Sequence, residues 1–162
     1  RVVEGLQAGY PCAMNLRRAG LAAGPCLFKD TMQLAAFSKN QFSLGYSAMI
    51  VNEGLPAFLV DQLRQQGPLE SMTVGLLGMA FKADVDDIRD SLSYKLGKIL
   101  RFQGATMLYS DEFVTDPTFI SKERLLASAN VVIIGVPHTA YKALTIPKGV
   151  EVVDLWGVVR PS

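Results

Sequence analysis

Two short segments of this 162-residue chain carry side chains able to do chemistry. The first is Gly24-Pro25-Cys26-Leu27-Phe28-Lys29-Asp30. Small residues ahead of Cys26 leave room for a substrate to approach its sulfur. Lys29 and Asp30 fall three and four positions later, in the first turn of a following helix. A helix N-terminus and a nearby ammonium both favour negative charge on sulfur, so a cysteine placed this way is a candidate nucleophile. Taken alone the segment is weak, because most free cysteines are inert packing residues. Cys12 has no such neighbours and is expected to pack.

The second segment runs from Gly78 to Ser91 and includes Phe81, Lys82, Asp84, Asp86, Asp87, Arg89 and Asp90. An aromatic face such as Phe81 stacks on a nucleobase, and cations such as Lys82 and Arg89 hold a diphosphate. By composition alone the same residues more readily make a solvated charged loop. The loop is not a G-x-G-x-x-G fingerprint. Gly75 and Gly78 stand three apart and the third glycine is absent, so the pyrophosphate of NAD is not expected at this turn. No metal site is expected.

Residues 1–66 and 67–162 differ in character. Arg1-Val2-Val3-Glu4 reads as the inside of a helix, so the chain is expected to continue a longer one. An irregular loop from Gly9 to Cys26 follows. Asp30 then serves as an N-cap for a helix carrying Met32, Leu34, Ala35 and Phe37 at helical spacing. The pattern pauses over Asn40–Ser43 and resumes from Leu44 to Gln66, with Pro56 predicting a kink or a restart near Glu53. Helices this long pack against a core, another domain or another subunit.

After Gly67-Pro68 the chain alternates strand and helix. Strands are expected at Thr73–Leu77, Ala105–Tyr109, Asn130–Gly135 and Val150–Asp154. Helices are expected at about Ser91–Gln103 and Ser121–Ala127. That alternation predicts an α/β fold: a Rossmann-like parallel sheet with helices on both faces, preceded by a helical arm. His138 and Trp156 follow the third and fourth strands, on the side of the sheet where ligands bind. His138 is expected to have no catalytic role, and Trp156 is expected to fill core or interface.

The first segment resembles the G-x-C-L-x-K-D motif of the UDP-glucose/GDP-mannose dehydrogenase family. The run Val74 to Lys82, followed by Asp86-Asp87-Ile88-Arg89-Asp90-Ser91, resembles the G-x-x-F-K…D-D-x-R-x-S motif that opens that family's C-terminal domain. Asn52-Glu53-Gly54-Leu55-Pro56 falls between them, where the family has its central helix. The family pattern often has arginine after Tyr-Pro, whereas Tyr10-Pro11 is followed here by Cys12.

The resemblance implies that residues 1–66 end a helical central domain carrying the active-site loop, and that 67–162 form a nucleotide-sugar-binding domain. It implies an NAD-dependent oxidation of a sugar C6 alcohol to a carboxylate through a cysteine thiohemiacetal and thioester, using two NAD. Cys26, Lys29 and Asp30 would be catalytic. Phe81 and Lys82 would bind the substrate nucleotide and Arg89 would reach the cofactor. NAD itself would be held mainly by a domain preceding Arg1. A homodimer through the 44–66 helix is implied. The alternative is a non-catalytic nucleotide-binding and dimerisation module.

Bulk composition sets the limits. Apolar residues make up 49% and charged residues 19%, with a net charge of +1, so no basic footprint for nucleic acid is present. The longest apolar run, Val131–Ile134, is strand-length and too short to span a bilayer. Two cysteines form no disulfide framework, and a reducing cytoplasmic compartment is expected.

Overall fold

The computed structural model describes residues 2–13, 19–39 and 41–159. Arg1, Asn40 and the stretch 14–18 of the expected irregular loop lie outside them. In chain order the elements are α1 (Val2–Gln7), α2 (Leu27–Phe37), α3 (Ser43–Gln66), β1 (Thr73–Leu77), α4 (Leu92–Phe102), β2 (Thr106–Ser110), α5 (Lys122–Ser128), β3 (Val131–Ile134) and β4 (Glu151–Asp154), with short 3-10 turns at Pro11–Ala13, Leu69–Ser71 and Thr139–Ala143. The four strands form one parallel sheet in the order β2-β1-β3-β4.

Strand alternation divides the core in two. Val74, Leu76, Val131 and Ile133 face α3 and α4, where Leu59, Val60 and Leu63 meet Leu92, Leu96 and Leu100. Leu77, Val132 and Ile134 face the other way, against Leu125, Leu126 and Tyr141. Helices therefore cover both faces, which is why β3 reads as an unbroken apolar run. The end of α3 shares its core with the sheet instead of standing apart from it.

One expectation about the helices fails, and one alternative at Pro56 is settled: no restart occurs there. The helix after the cysteine begins at Leu27 with Cys26 in the N-cap position, so Asp30 lies inside the first turn and is no cap. Helix α3 runs unbroken from Ser43 to Gln66 with Pro56 buried inside it. Tertiary burial of Pro56 outweighs the hydrogen bond its missing N–H forfeits. Helix α4 follows the rules: Ser91 caps it by accepting from the Ser93 N–H at 3.3 Å, and Leu92, Leu96 and Leu100 recur on one face.

Candidate active site where the Cys26 loop meets the loop after β1

From β1 the chain crosses by α4 to β2 on one side, then returns by α5 to β3 on the other. Ligands in open parallel sheets bind beyond the strand ends at such a reversal. The loops after β1 and β3 meet there. Gly78 has φ +91 and lies so close to Val136 that an added Cβ would be 2.7 Å from that side chain.

The loop after β1 is held by its own hydrogen bonds. The Phe81 N–H donates to the Asp87 carbonyl at 2.9 Å, and the Ser91 hydroxyl donates to the Ala80 carbonyl at 3.0 Å. Asp111, following β2, reaches across with a side chain fully removed from solvent. Its Oδ2 accepts from the N–H groups of Met79 (2.6 Å) and Ala80 (3.1 Å), and its Oδ1 from those of Phe113 (2.7 Å) and Val114 (2.9 Å). Burial pushes the Asp111 carboxyl up, but hydrogen bonds from His138 and these amides outweigh it and hold it well below the usual range.

Asp111 thus occupies the amides a pyrophosphate would need at this turn, and α4 starts only at Leu92. The residues of this domain do not fit NAD there, as the missing glycine predicts. Among the described residues no group of three or more His, Cys, Asp and Glu side chains is arranged to hold a metal.

The Cys26 loop packs onto this scaffold. Gly24 has φ +133, and a Cβ there would stand 3.1 Å from the Phe81 ring, so the ring lies directly over the backbone two residues before Cys26. Asn52 on α3 pins the loop by donating to the Ala22 carbonyl at 2.7 Å. Cys26 is exposed, and its carbonyl accepts the first helical bond, from the Asp30 N–H at 2.8 Å. Lys29 and Asp30 are exposed neighbours, 3.5 Å apart.

Arg89 forks onto Asp87, at 2.6 Å for the closest pair, and that contact holds the Asp87 carboxyl at about 2. The guanidinium is held protonated chiefly by the same hydrogen bonds. The Arg89 side chain stays 69% exposed. The Lys82 Nζ stands 5.3 Å over the Phe81 ring, a cation–π pairing. A cleft of about 570 Å³ opens beside these groups, lined by Phe28, Lys29, Asp90, Tyr94, Lys95 and Lys98 among others. Its volume suits a small organic ligand. Another cleft, of about 640 Å³, flanks β4 and contains no residue of either motif.

The structure brings Cys26, Lys29 and Asp30 onto one helix start and sets Phe81 against the loop before it, while Arg89 is engaged with Asp87. Cys12 departs from expectation: it is exposed, on the 3-10 turn. Trp156 fills core, donating its indole N–H to the Gly135 carbonyl at 3.0 Å. Asp111 was invisible as a site residue in sequence, where it merely closes β2. A carboxylate at the end of a parallel strand was the available signal.

Comparison with known proteins agrees with this geometry. Residues 75–161, more than half of the chain, match the model of the UDP-glucose/GDP-mannose dehydrogenase family, UDP binding domain. UDP-N-acetyl-D-mannosamine dehydrogenase of Pyrococcus horikoshii is 31% identical over 127 residues, covering 75% of this chain and 30% of that protein. UDP-glucose 6-dehydrogenase of Haloferax volcanii is 36% identical over 105 residues, covering 60% of this chain and 24% of that one. The structure of a UDP-glucose dehydrogenase from Pyrobaculum islandicum superposes with a TM-score of 0.83 at 28% identity, covering 98% of this chain and 40% of that chain. The chain spans about a third of the curated relatives' length. With the sheet, the Phe-Lys loop and the family match in accord, it belongs to the UDP-glucose/GDP-mannose dehydrogenase family.

Proposed function

We propose that this chain is the nucleophile-bearing and nucleotide-gripping part of a nucleotide-sugar 6-dehydrogenase. The enzyme would oxidise the C6 alcohol of a UDP- or GDP-linked sugar to a carboxylate, a building block for polysaccharide biosynthesis. The observation that supports this most is the contact between the two motifs: the Phe81 ring rests on Gly24. Residues 1–66 would close the central domain and 67–162 form the nucleotide-binding domain.

NAD would supply the hydride acceptor, two per turnover, and would be taken up outside these 162 residues. Within the chain, Phe81 stacks on the base while Lys82 faces the diphosphate. The Cys26 sulfur adds to C6 at the aldehyde stage, and the new C–S bond keeps the aldehyde from escaping. Lys29 steadies the oxyanion on that carbon. After the second oxidation C6 is a thioester. Asp30 takes a proton from water, the water oxygen adds to C6, the C–S bond breaks, and the thiolate leaves on Cys26.

A homodimer through α3 belongs to the same proposal. Leu44, Val51 and Phe58, spaced by seven, stand 80%, 75% and 57% exposed on one stripe of that helix. A stripe of that period suits a second copy of the same helix. Two exposed free thiols suit a reducing, cytoplasmic compartment.

The test is competitive alkylation. A limiting dose of iodoacetamide at neutral pH, followed by peptide mapping, is expected to label Cys26 ahead of Cys12. Both thiols are exposed, so accessibility alone would not produce that order. Equal or reversed labelling removes the activated nucleophile. Given nucleotide sugar, the chain alone is expected to reduce no NAD.

A further inference from the structure

His138 is the single histidine of the chain and has no exposed surface. Both ring nitrogens are engaged within the protein. Nδ1 lies 2.9 Å from the Asp84 N–H, which donates to it, so Nδ1 carries no proton. The ring proton therefore sits on Nε2 and points at Asp111 Oδ2, 3.1 Å away. Phe113 and Tyr141 clamp the ring at centroid distances of 5.0 and 5.3 Å.

Asp84 closes the link from the other side. Its carboxylate accepts from the Thr139 N–H at 2.9 Å and from the Thr139 hydroxyl at 2.6 Å. Its backbone is left-handed, φ 59, a conformation that a non-glycine residue keeps only when its surroundings over-determine it. Asp84 stands two residues after Lys82. The three loops that follow β1, β2 and β3 thus join through one imidazole.

We propose that His138 is a positioning residue: the Nε2–H bond to Asp111 fixes its tautomer, and the bare Nδ1 so presented holds the Asp84 N–H and with it the loop that presents Phe81 and Lys82. This rests on the reading of those two residues as the nucleotide grip. It assigns His138 no contact with substrate and places the determinant of affinity one layer behind the site.

Three variants separate positioning from packing. Asparagine at 138 keeps an acceptor where Nδ1 lies and so retains the Asp84 link. Glutamine keeps a donor where Nε2 lies and retains only the Asp111 link, and alanine loses both. Affinity is read by calorimetry on the folded chain with UDP-glucose or GDP-mannose, whichever the wild type binds more tightly. His138→Asn is expected within about twofold of wild type, with His138→Gln and His138→Ala weaker by about tenfold, the scale of one net hydrogen bond.

Equal affinity in all three folded variants, with only their melting temperatures lowered, overturns the proposal. A long-range 1H–15N spectrum of the single histidine is expected to show Nε2 protonated and Nδ1 bare, and the opposite tautomer overturns it equally. Should the 138 variants not fold, that spectrum decides. If the wild type binds neither nucleotide sugar, the proposed function falls, while the positioning role is still decided by hydrogen exchange at the Phe81 amide. That exchange is expected to quicken in the glutamine and alanine variants and not in the asparagine variant; uniform rates refute the role.

Discussion

Replacing Asp111 by asparagine removes a buried charge without changing the size of the side chain. The two carboxylate oxygens accept four backbone N–H groups and the His138 Nε2–H. An amide keeps one oxygen. Turned toward Met79, Ala80 and His138, it sets its NH2 against the N–H groups of Phe113 and Val114. Turned round, it opposes the other three donors. The first arrangement is cheaper, because the Phe113 amide lies near solvent. Each buried donor left without an acceptor costs about 1–3 kcal/mol, and relief from burying a charge offsets part of that. The expected loss is about 2–3 kcal/mol. At a few degrees per kcal/mol in a chain of this size, the melting temperature falls by roughly 5–10 °C.

The pH dependence supplies the sign. Asp111 is held below its ordinary range in the fold, so its contribution is full above about pH 4 and fades as pH falls toward the depressed value. The gap between wild type and Asp111→Asn is therefore widest near neutrality and narrows in acid. Urea unfolding with matched slopes, followed from neutral to acid pH, measures it. A loss under about 1 kcal/mol at neutrality, or a gap that widens on acidification, contradicts the hydrogen-bond account.

Gly24→Ala should cost about 2 kcal/mol by thermal melting, since alanine at φ +133 is strained and its methyl would meet Phe81. The same variant should bind nucleotide sugar more weakly, and an unchanged melt would count against the packing described. Arg89→Gln should raise the Asp87 midpoint from about 2 toward its ordinary 3.8, read by carboxyl carbon shifts in an acid titration. The stabilisation from that exposed pair is present above about pH 4 and fades as pH falls toward the lower midpoint. A midpoint that stays low would assign the depression to something other than Arg89. Val51→Glu should leave stability within about 0.5 kcal/mol, because the side chain is largely exposed, yet abolish dimers in sedimentation. A dimer that survives the charge removes α3 from the interface.

Much of the architecture was legible along the chain because it is local. The apolar run Val131–Ile134, the cap at Ser91 and the spacing of Leu92, Leu96 and Leu100 each declare one element from neighbouring residues. Boundaries were legible to within a residue or two in the sheet domain. They were less so at the cysteine, where Asp30 has the chemistry of an N-cap but Cys26 holds the position. Proline at 56 left a restart open along the chain; the helix continues through it because its cost is local, whereas its flanking residues are buried against the sheet and α4.

The pairing of a Gly-Pro-Cys-Leu-Phe-Lys-Asp segment with a Phe-Lys loop was written in residue types and order, and it sufficed to indicate the family and to single out Cys26 as the candidate nucleophile. Sequence could not place Gly24 under Phe81, because the two segments are some fifty residues apart and meet only when α3 docks on α4. Nor could it show that Asp111 fills the turn where a dinucleotide's pyrophosphate would sit, with His138 locking it. Carboxylates and imidazoles look alike in a sequence whether they face water or one another. Burial decides which, and burial is a property of the whole fold.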